Sequence, residues 1–177
     1  ASYLISSQAE AVKKSNGKPD GYIMLIDETE SLSQDADCYL VRLTNNGSVS
    51  WARHITFVSG KKVRPSYDAN GTLTGFIILG DALSGNAILK TDVSGNQGWQ
   101  KRITTNLANA LYRFQDLQAT ADGGCVVAGN LYVNSELSKA ALFKMDNAGN
   151  ITWGHEYILN ADSEGPPNIR GVAITPT

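Results

Sequence analysis

Apolar and polar residues alternate with a period of two along much of this chain, the pattern of half-buried strands. Leu40 and Arg42 alternate with Tyr39, Val41 and Leu43, and Phe143 and Met145 alternate with Lys144. Each such run leads into TNNGS, DVSGN or DNAGN and then into a second run that carries a tryptophan. Thr or Asp opens a tight turn and glycine supplies a positive φ, so each stretch reads as a β-hairpin with a G1 bulge. Gly47, Gly95 and Gly149 are the expected turn glycines. A near-continuous apolar run precedes each hairpin: GYIMLID (21–27), GFIILGD (75–81) and GCVVAGN (124–130). Such runs suit strands buried on both faces. One more strand is predicted ahead of each, in 2–12, 63–68 and 113–120. Residues 6–15 also satisfy a short-helix reading, with Ser6 or Ser7 as cap and Ala, Glu and Lys following.

The pattern recurs. DCYLVRLTNNGSVSWARHI (37–55), GNAILKTDVSGNQGWQKRI (85–103) and KAALFKMDNAGNITWGHEY (139–157) carry Arg42/Gly47/Trp51, Lys90/Gly95/Trp99 and Lys144/Gly149/Trp153 at identical spacing. Four strands thus repeat about every 50 residues, the mark of a repeat architecture. A single domain, 1–177, divides into units of approximately 1–62, 63–112 and 113–166. A remnant strand follows at 167–177, where IRGVAITPT is similar to FQDLQATAD (114–122). Ile26 stands where later units have Gly80 and Gly129, so the first unit is atypical. Tryptophans at equivalent strand positions, Trp51, Trp99 and Trp153, are expected to pack between units.

LQATADGGCVVAGN followed by KAALFKMDNAGNITWGHEY resembles the blade repeat of bacterial extracellular β-propellers, a DGG-apolar-G strand and then an LVKLDxxGNxxW hairpin. The resemblance covers about residues 20–177 and is strongest in the third unit. It implies an all-β fold of three four-stranded antiparallel propeller-like blade repeats plus a partial fourth. A β-trefoil or β-prism is the alternative. Propellers have about four to eight blades. Three blades leave sheet faces and edges open, and open edges invite pairing with other chains. The expected assembly contact is made by the end segments, through Leu4, Ile5, Ile169, Val172 and Ile174.

Composition narrows the function further. Hydrophobic residues make up 42% of the 177 and charged residues only 18%, with a formal net charge of −2. A nucleic-acid binder carries a basic stripe, and this chain has no cluster of that density, its short pairs Lys13/Lys14 and Lys61/Lys62 reading as solvated surface. No apolar run approaches the length of a membrane span. The opening ASYLISS has neither the basic nor the apolar region of an export signal and is compatible with a mature end. Low charge and abundant Gly, Ser, Thr and Asn suit an exported β protein. The two cysteines, Cys38 and Cys125, fall at non-equivalent places in the repeat; buried free thiols and a single bridge are both open readings.

Catalytic signatures are missing: HExxH, CxxC, GxSxG, the P-loop and GxGxxG do not occur. His54 and His155 each follow a repeat tryptophan and read as surface or packing residues. Asp92 and Asp146 open equivalent turns, where the side chain bonds the backbone. Asn46, Asn70 and Asn150 are turn residues. The acidic stretch 27–37 reads as a solvated loop, or alternatively as a cation or partner contact. No catalytic, cofactor or metal residue is expected. The expectation is a non-enzymatic structural subunit of an extracellular or cell-surface assembly, a filament or pilus-like fibre, that associates with itself or another surface protein. A lectin-like carbohydrate-binding module and a fragment of a larger propeller are the alternatives.

Overall fold

The computed structural model describes residues 3–29, 36–55, 59–82, 85–158 and 169–174. Twelve strands form three sheets, and the described residues contain no helix. The first sheet holds β1 (Tyr3–Lys13), β2 (Pro19–Thr29), β3 (Ala36–Leu43) and β4 (Val49–Ile55). The second holds β5 (Ser59–Tyr67), β6 (Leu73–Ala82), β7 (Gly85–Thr91) and β8 (Gln97–Lys101). The third holds β9 (Ala110–Ala119), β10 (Cys125–Val133), β11 (Glu136–Met145) and β12 (Ile151–Tyr157). Every pairing is antiparallel between chain neighbours, so each sheet is a four-stranded meander of contiguous sequence.

The sheets stack face to face in chain order around two separate cores. The first core joins Ile23, Leu25, Cys38, Leu40 and Ile55 of the first sheet to Phe76, Ile78 and Leu89 of the second. The second core joins Ile77, Leu79 and Ile88 to Phe114, Leu117, Val127 and Met145 of the third. Successive residues of β6 therefore point into different cores, which is the period-two geometry of a strand covered on both sides. All of Phe76, Ile77, Ile78 and Leu79 are fully buried.

The first strands of the three sheets, β1, β5 and β9, each at a sheet edge, are tied by polar side chains. Arg64 pairs with Glu10, lies 3.6 Å from Asp116 and donates from Nε to Gln118 at 3.2 Å. The Gln8 side chain accepts from Val63 N at 2.9 Å.

The all-β class and the repeated four-stranded sheets stand as expected, but the sheets do not close into a ring. Four expectations need correction. Residues 6–13 form strand, not helix: the polar stretch of β1 faces the Arg64 network, so its Gln and Glu are strand side chains with partners. Burial on both faces fails in the first sheet, where Tyr22 is 44% exposed beside fully buried Ile23, because no sheet among the described residues covers that side. The second sheet begins at Ser59, ahead of the expected boundary at 63. Residues 169–174 of the remnant form no strand. Of the acidic stretch 27–37, residues 30–35 lie outside the described residues, as do 175–177.

Candidate functional site

The site is the junction by which one sheet meets the next. It begins with the turns. In TNNGS the first residue's N–H bonds the fifth carbonyl, Thr44 N to Ser48 O at 2.9 Å, and Gly47 N returns to Thr44 O at 3.1 Å. DVSGN and DNAGN repeat both bonds. This geometry puts Gly47, Gly95 and Gly149 at φ of 83°, 79° and 80°, the left-handed region that favours glycine. Register shifts follow in each hairpin, between Arg42 and Leu43, Leu89 and Thr91, and Lys144 and Met145. Asp92 and Asp146 accept turn N–H groups through Oδ1; the Asn96 side-chain bond above all lowers the Asp92 carboxyl below the ordinary range, and the Asn150 backbone bond above all lowers that of Asp146.

The tryptophans use these turns as seats. Trp51 of β4 lies against the second sheet, its ring 5.9 Å edge-on from Phe76. A Cβ built on Gly95 would come within 2.7 Å of the Trp51 ring. Trp99 of β8 repeats the contact one sheet later: a Cβ on Gly149 would lie 2.9 Å from its ring, and Trp99 Nε1 donates to Asn147 O at 2.9 Å. The third member departs from the series. Trp153 of β12 is 40% exposed, on the side of the third sheet that faces away from the second. At the opposite end of the stack, nothing among the described residues lies within 4 Å of a Cβ placed on Gly47.

A cation accompanies each tryptophan. Lys90 is only 8% exposed and donates across the junction to Gly123 O at 2.6 Å and to the Asn147 side chain. Its burial lowers its pKa. Arg42 of the first sheet stays on its own sheet, donating to Asp20 Oδ2 at 2.9 Å and to Leu43 O at 2.6 Å. Lys144 of the third also stays at home, donating to Asp122 Oδ2 and Met145 O, both at 2.7 Å. Although partial burial opposes it, the Lys144 bond, with those from Thr120 and Gly124, holds the Asp122 carboxyl at about 2.

At each step along the stack a polar side chain accepts an amide of the segment that follows its sheet. Asp27 accepts from Gly60 N at 2.9 Å and from Ser59 Oγ at 2.7 Å. Asn86 accepts from Phe114 N. Asn130 accepts from Ile169 N at 3.0 Å and donates to Ile169 O, and Asp116 accepts from Val172 N at 3.0 Å. The segment 169–174 is therefore held on its own third sheet, at the place where the first strand of a following sheet would start.

The end-segment residues thus fall in different settings. Leu4 and Ile5 lie in β1, paired with Glu28 and Asp27 of β2. Ile169 and Val172 are half-buried on the third sheet, and Ile174 is 46% exposed. Sequence reasoning missed the Lys90 bridge to Asn147. It also missed a second turn series, KSNGK (14–18), DANGT (68–72) and TADGG (120–124), whose hydrogen bonds match those of the tryptophan hairpins. The signal was visible: a glycine recurs in the fourth place of all three.

Chemistry-bearing side chains are dispersed. Cys38 and Cys125 are both buried free thiols, in different cores. Burial pushes both thiols up, with Asp27 adding to the rise at Cys38, and Cys125 reaches about 12. His54 lies edge-on to Tyr39 and His155 lies between Trp153 and Tyr157. Among the described residues no three His, Cys, Asp or Glu side chains converge as a metal ion requires. A cleft beside β9, lined by Asn86, Arg102, Thr105 and Tyr112, encloses about 180 Å³, while shallow clefts along Arg64, Tyr67 and Gln118 and beside Arg42, Asn45 and Trp51 hold about 340 and 310 Å³, the lower end of the roughly 300–1,000 Å³ typical of small-molecule sites. No helix among the described residues is long and apolar enough to cross a membrane. No protein-family model matches the chain, and no curated protein matches it.

Proposed function

We propose that the chain is a non-enzymatic structural subunit of an extracellular or cell-surface assembly, a filament or pilus-like fibre, built from propeller-like blade units. The observation that carries this reading is the one-way stacking of the sheets. Trp51 and Trp99 each reach forward to the next turn, and the last forward face remains open, with Trp153 40% and Tyr157 43% exposed. A contiguous apolar surface rimmed by polar residues is the usual mark of an interaction site. Low charge and the repeat's resemblance to extracellular blade proteins support the location. Light scattering over a range of concentrations tests it. Mass rising with concentration is expected; a monomer at the highest soluble concentration refutes it.

The same surface favours a second reading, a carbohydrate-binding module. Trp153, His155 and Tyr157 form a ladder of rings with centroids 5.5 and 6.3 Å apart, a platform on which sugar rings stack. Glycan binding lost on Trp153→Ala, in a chain that stays monomeric, would move this reading ahead.

A further inference from the structure

The two interior junctions define what a forward face accepts: a hairpin turn whose glycine lies under the tryptophan, and, at Lys90, a carbonyl and an Asn side chain for the cation. The two ends of the stack fit that definition. Trp153 is exposed and no turn among the described residues covers it. Among the described residues Gly47 has no neighbour where Gly95 and Gly149 have indole rings.

The cation gives a second, independent match. The acceptors of Lys90 are Gly123 O and Asn147. Their equivalents in the first sheet are Gly17 and Asn45, both exposed. Lys144 holds the Lys90 position and lies directly opposite Trp153 in the sheet. In the second sheet the Asn position is filled by Val93, which has no acceptor side chain. The facing cation, Arg42, is satisfied on its own sheet; Lys144 is too, by Asp122 and Met145 O, so docking has it exchange those partners. So the turn of the first sheet carries the acceptor that Lys144 would need.

We infer that the forward face of the third sheet binds the first sheet of a second copy of this chain, head to tail, with Trp153 over Gly47 and Lys144 reaching Gly17 O and Asn45 of the second copy. This rests on the reading of the chain as an assembling subunit and specifies its contact. The two surfaces differ, so the contact is heterologous: repeated, it makes a filament, or a ring if the rotation closes. Segment 169–174 sits where β1 of the second copy must lie, as β9 lies on the second sheet. It competes for that place and is released when the second copy docks.

Four variants test the contact by light scattering, with circular dichroism as the check on folding. Trp153→Ala removes the forward anchor. Gly47→Asn keeps the left-handed turn, which Asn tolerates, and fills the seat. Each alone is expected to weaken association by about tenfold or more, the loss usual for an anchor tryptophan. An equimolar mixture is expected to give a one-to-one dimer and nothing larger, because one intact forward face meets one intact turn. Asn45→Arg sets a cation against Lys144 without touching the turn glycine and is expected to weaken association in the same way. Asn130→Ala loosens 169–174 and is expected to strengthen it. Wild-type chain that assembles while Trp153→Ala, Gly47→Asn and Asn45→Arg assemble equally well overturns this contact and leaves the assembly reading standing. Weaker association of Asn130→Ala makes the segment part of the interface and overturns the placement. A wild-type monomer at all concentrations overturns both.

Discussion

Alanine at the three hairpin glycines separates the strain of a turn from the contact between sheets. Gly47, Gly95 and Gly149 share a φ near 80°, so each replacement carries the same left-handed penalty of about 1–2 kcal/mol. Each also gains the same small benefit, about 0.4–1 kcal/mol, from a stiffer unfolded chain. Both effects cancel in the comparison. What remains is the neighbour. The new methyl meets none of the described residues at position 47, but would lie 2.7 Å from Trp51 at position 95 and 2.9 Å from Trp99 at position 149. Either ring must move out of a packed junction, an overpacking cost of about 1–3 kcal/mol. Gly95→Ala and Gly149→Ala are therefore expected to be less stable than Gly47→Ala by about 1–3 kcal/mol. At about 2–4 °C per kcal/mol for a chain of this size, the melting gap falls near 2–12 °C. Urea midpoints at low protein concentration, with an unchanged m-value, are the measurement. Equal losses at all three positions would mean that the tryptophans do not sit on the turns, and the account of the junctions would fail.

Two further outcomes follow from the ends of the stack. Asn130→Ala should speed hydrogen exchange at Ile169 N while leaving the amides of β6 and β10 protected; unchanged exchange at Ile169 would mean that the side chain does not hold the segment. Asp122 has a carboxyl held at about 2 in the folded state, against about 3.9 unfolded. Its contribution is therefore present above pH 4 and lost as the pH falls through 2. Asp122→Asn should flatten the acid limb of the stability profile in that window; an unchanged limb would deny the Lys144 pairing any role there.

The strands and turns were legible because they depend on local chemistry. Alternation in 39–43 places Leu40 inward, and glycine in the fourth place of TNNGS fixes the turn, whatever the rest of the chain does. Residues 6–13 were less legible because their side chains answer to residues some 50 positions away. Glu10 meets Arg64, and Gln8 meets the Val63 amide. Without those partners a run of Ser, Gln, Ala and Glu has no strand signature and satisfies helix propensity equally well. The candidate site was half legible. Identical spacing marked Trp51, Trp99 and Trp153 as one set, but spacing says nothing of what each ring touches. That Trp153 stands apart follows only from its being last in the stack. The role of Asn147 was invisible because its partner, Lys90, belongs to another sheet.

Because every sheet is a meander of neighbouring strands, nearly all of the pairing is local in sequence, and local contacts close early in folding. On a ribosome, where chains fold as they emerge, the first sheet is complete before Phe76 has left the tunnel. Trp51 then waits in water until Gly95 arrives, and Trp99 waits in turn for Gly149. The growing end of the nascent protein is always its stickiest point, each new sheet hiding one indole and displaying another. A ribosome that stalls between sheets would leave the same kind of surface that Trp153 presents on the third sheet. Chaperones that recognise exposed indole would therefore meet the same feature as each sheet emerges.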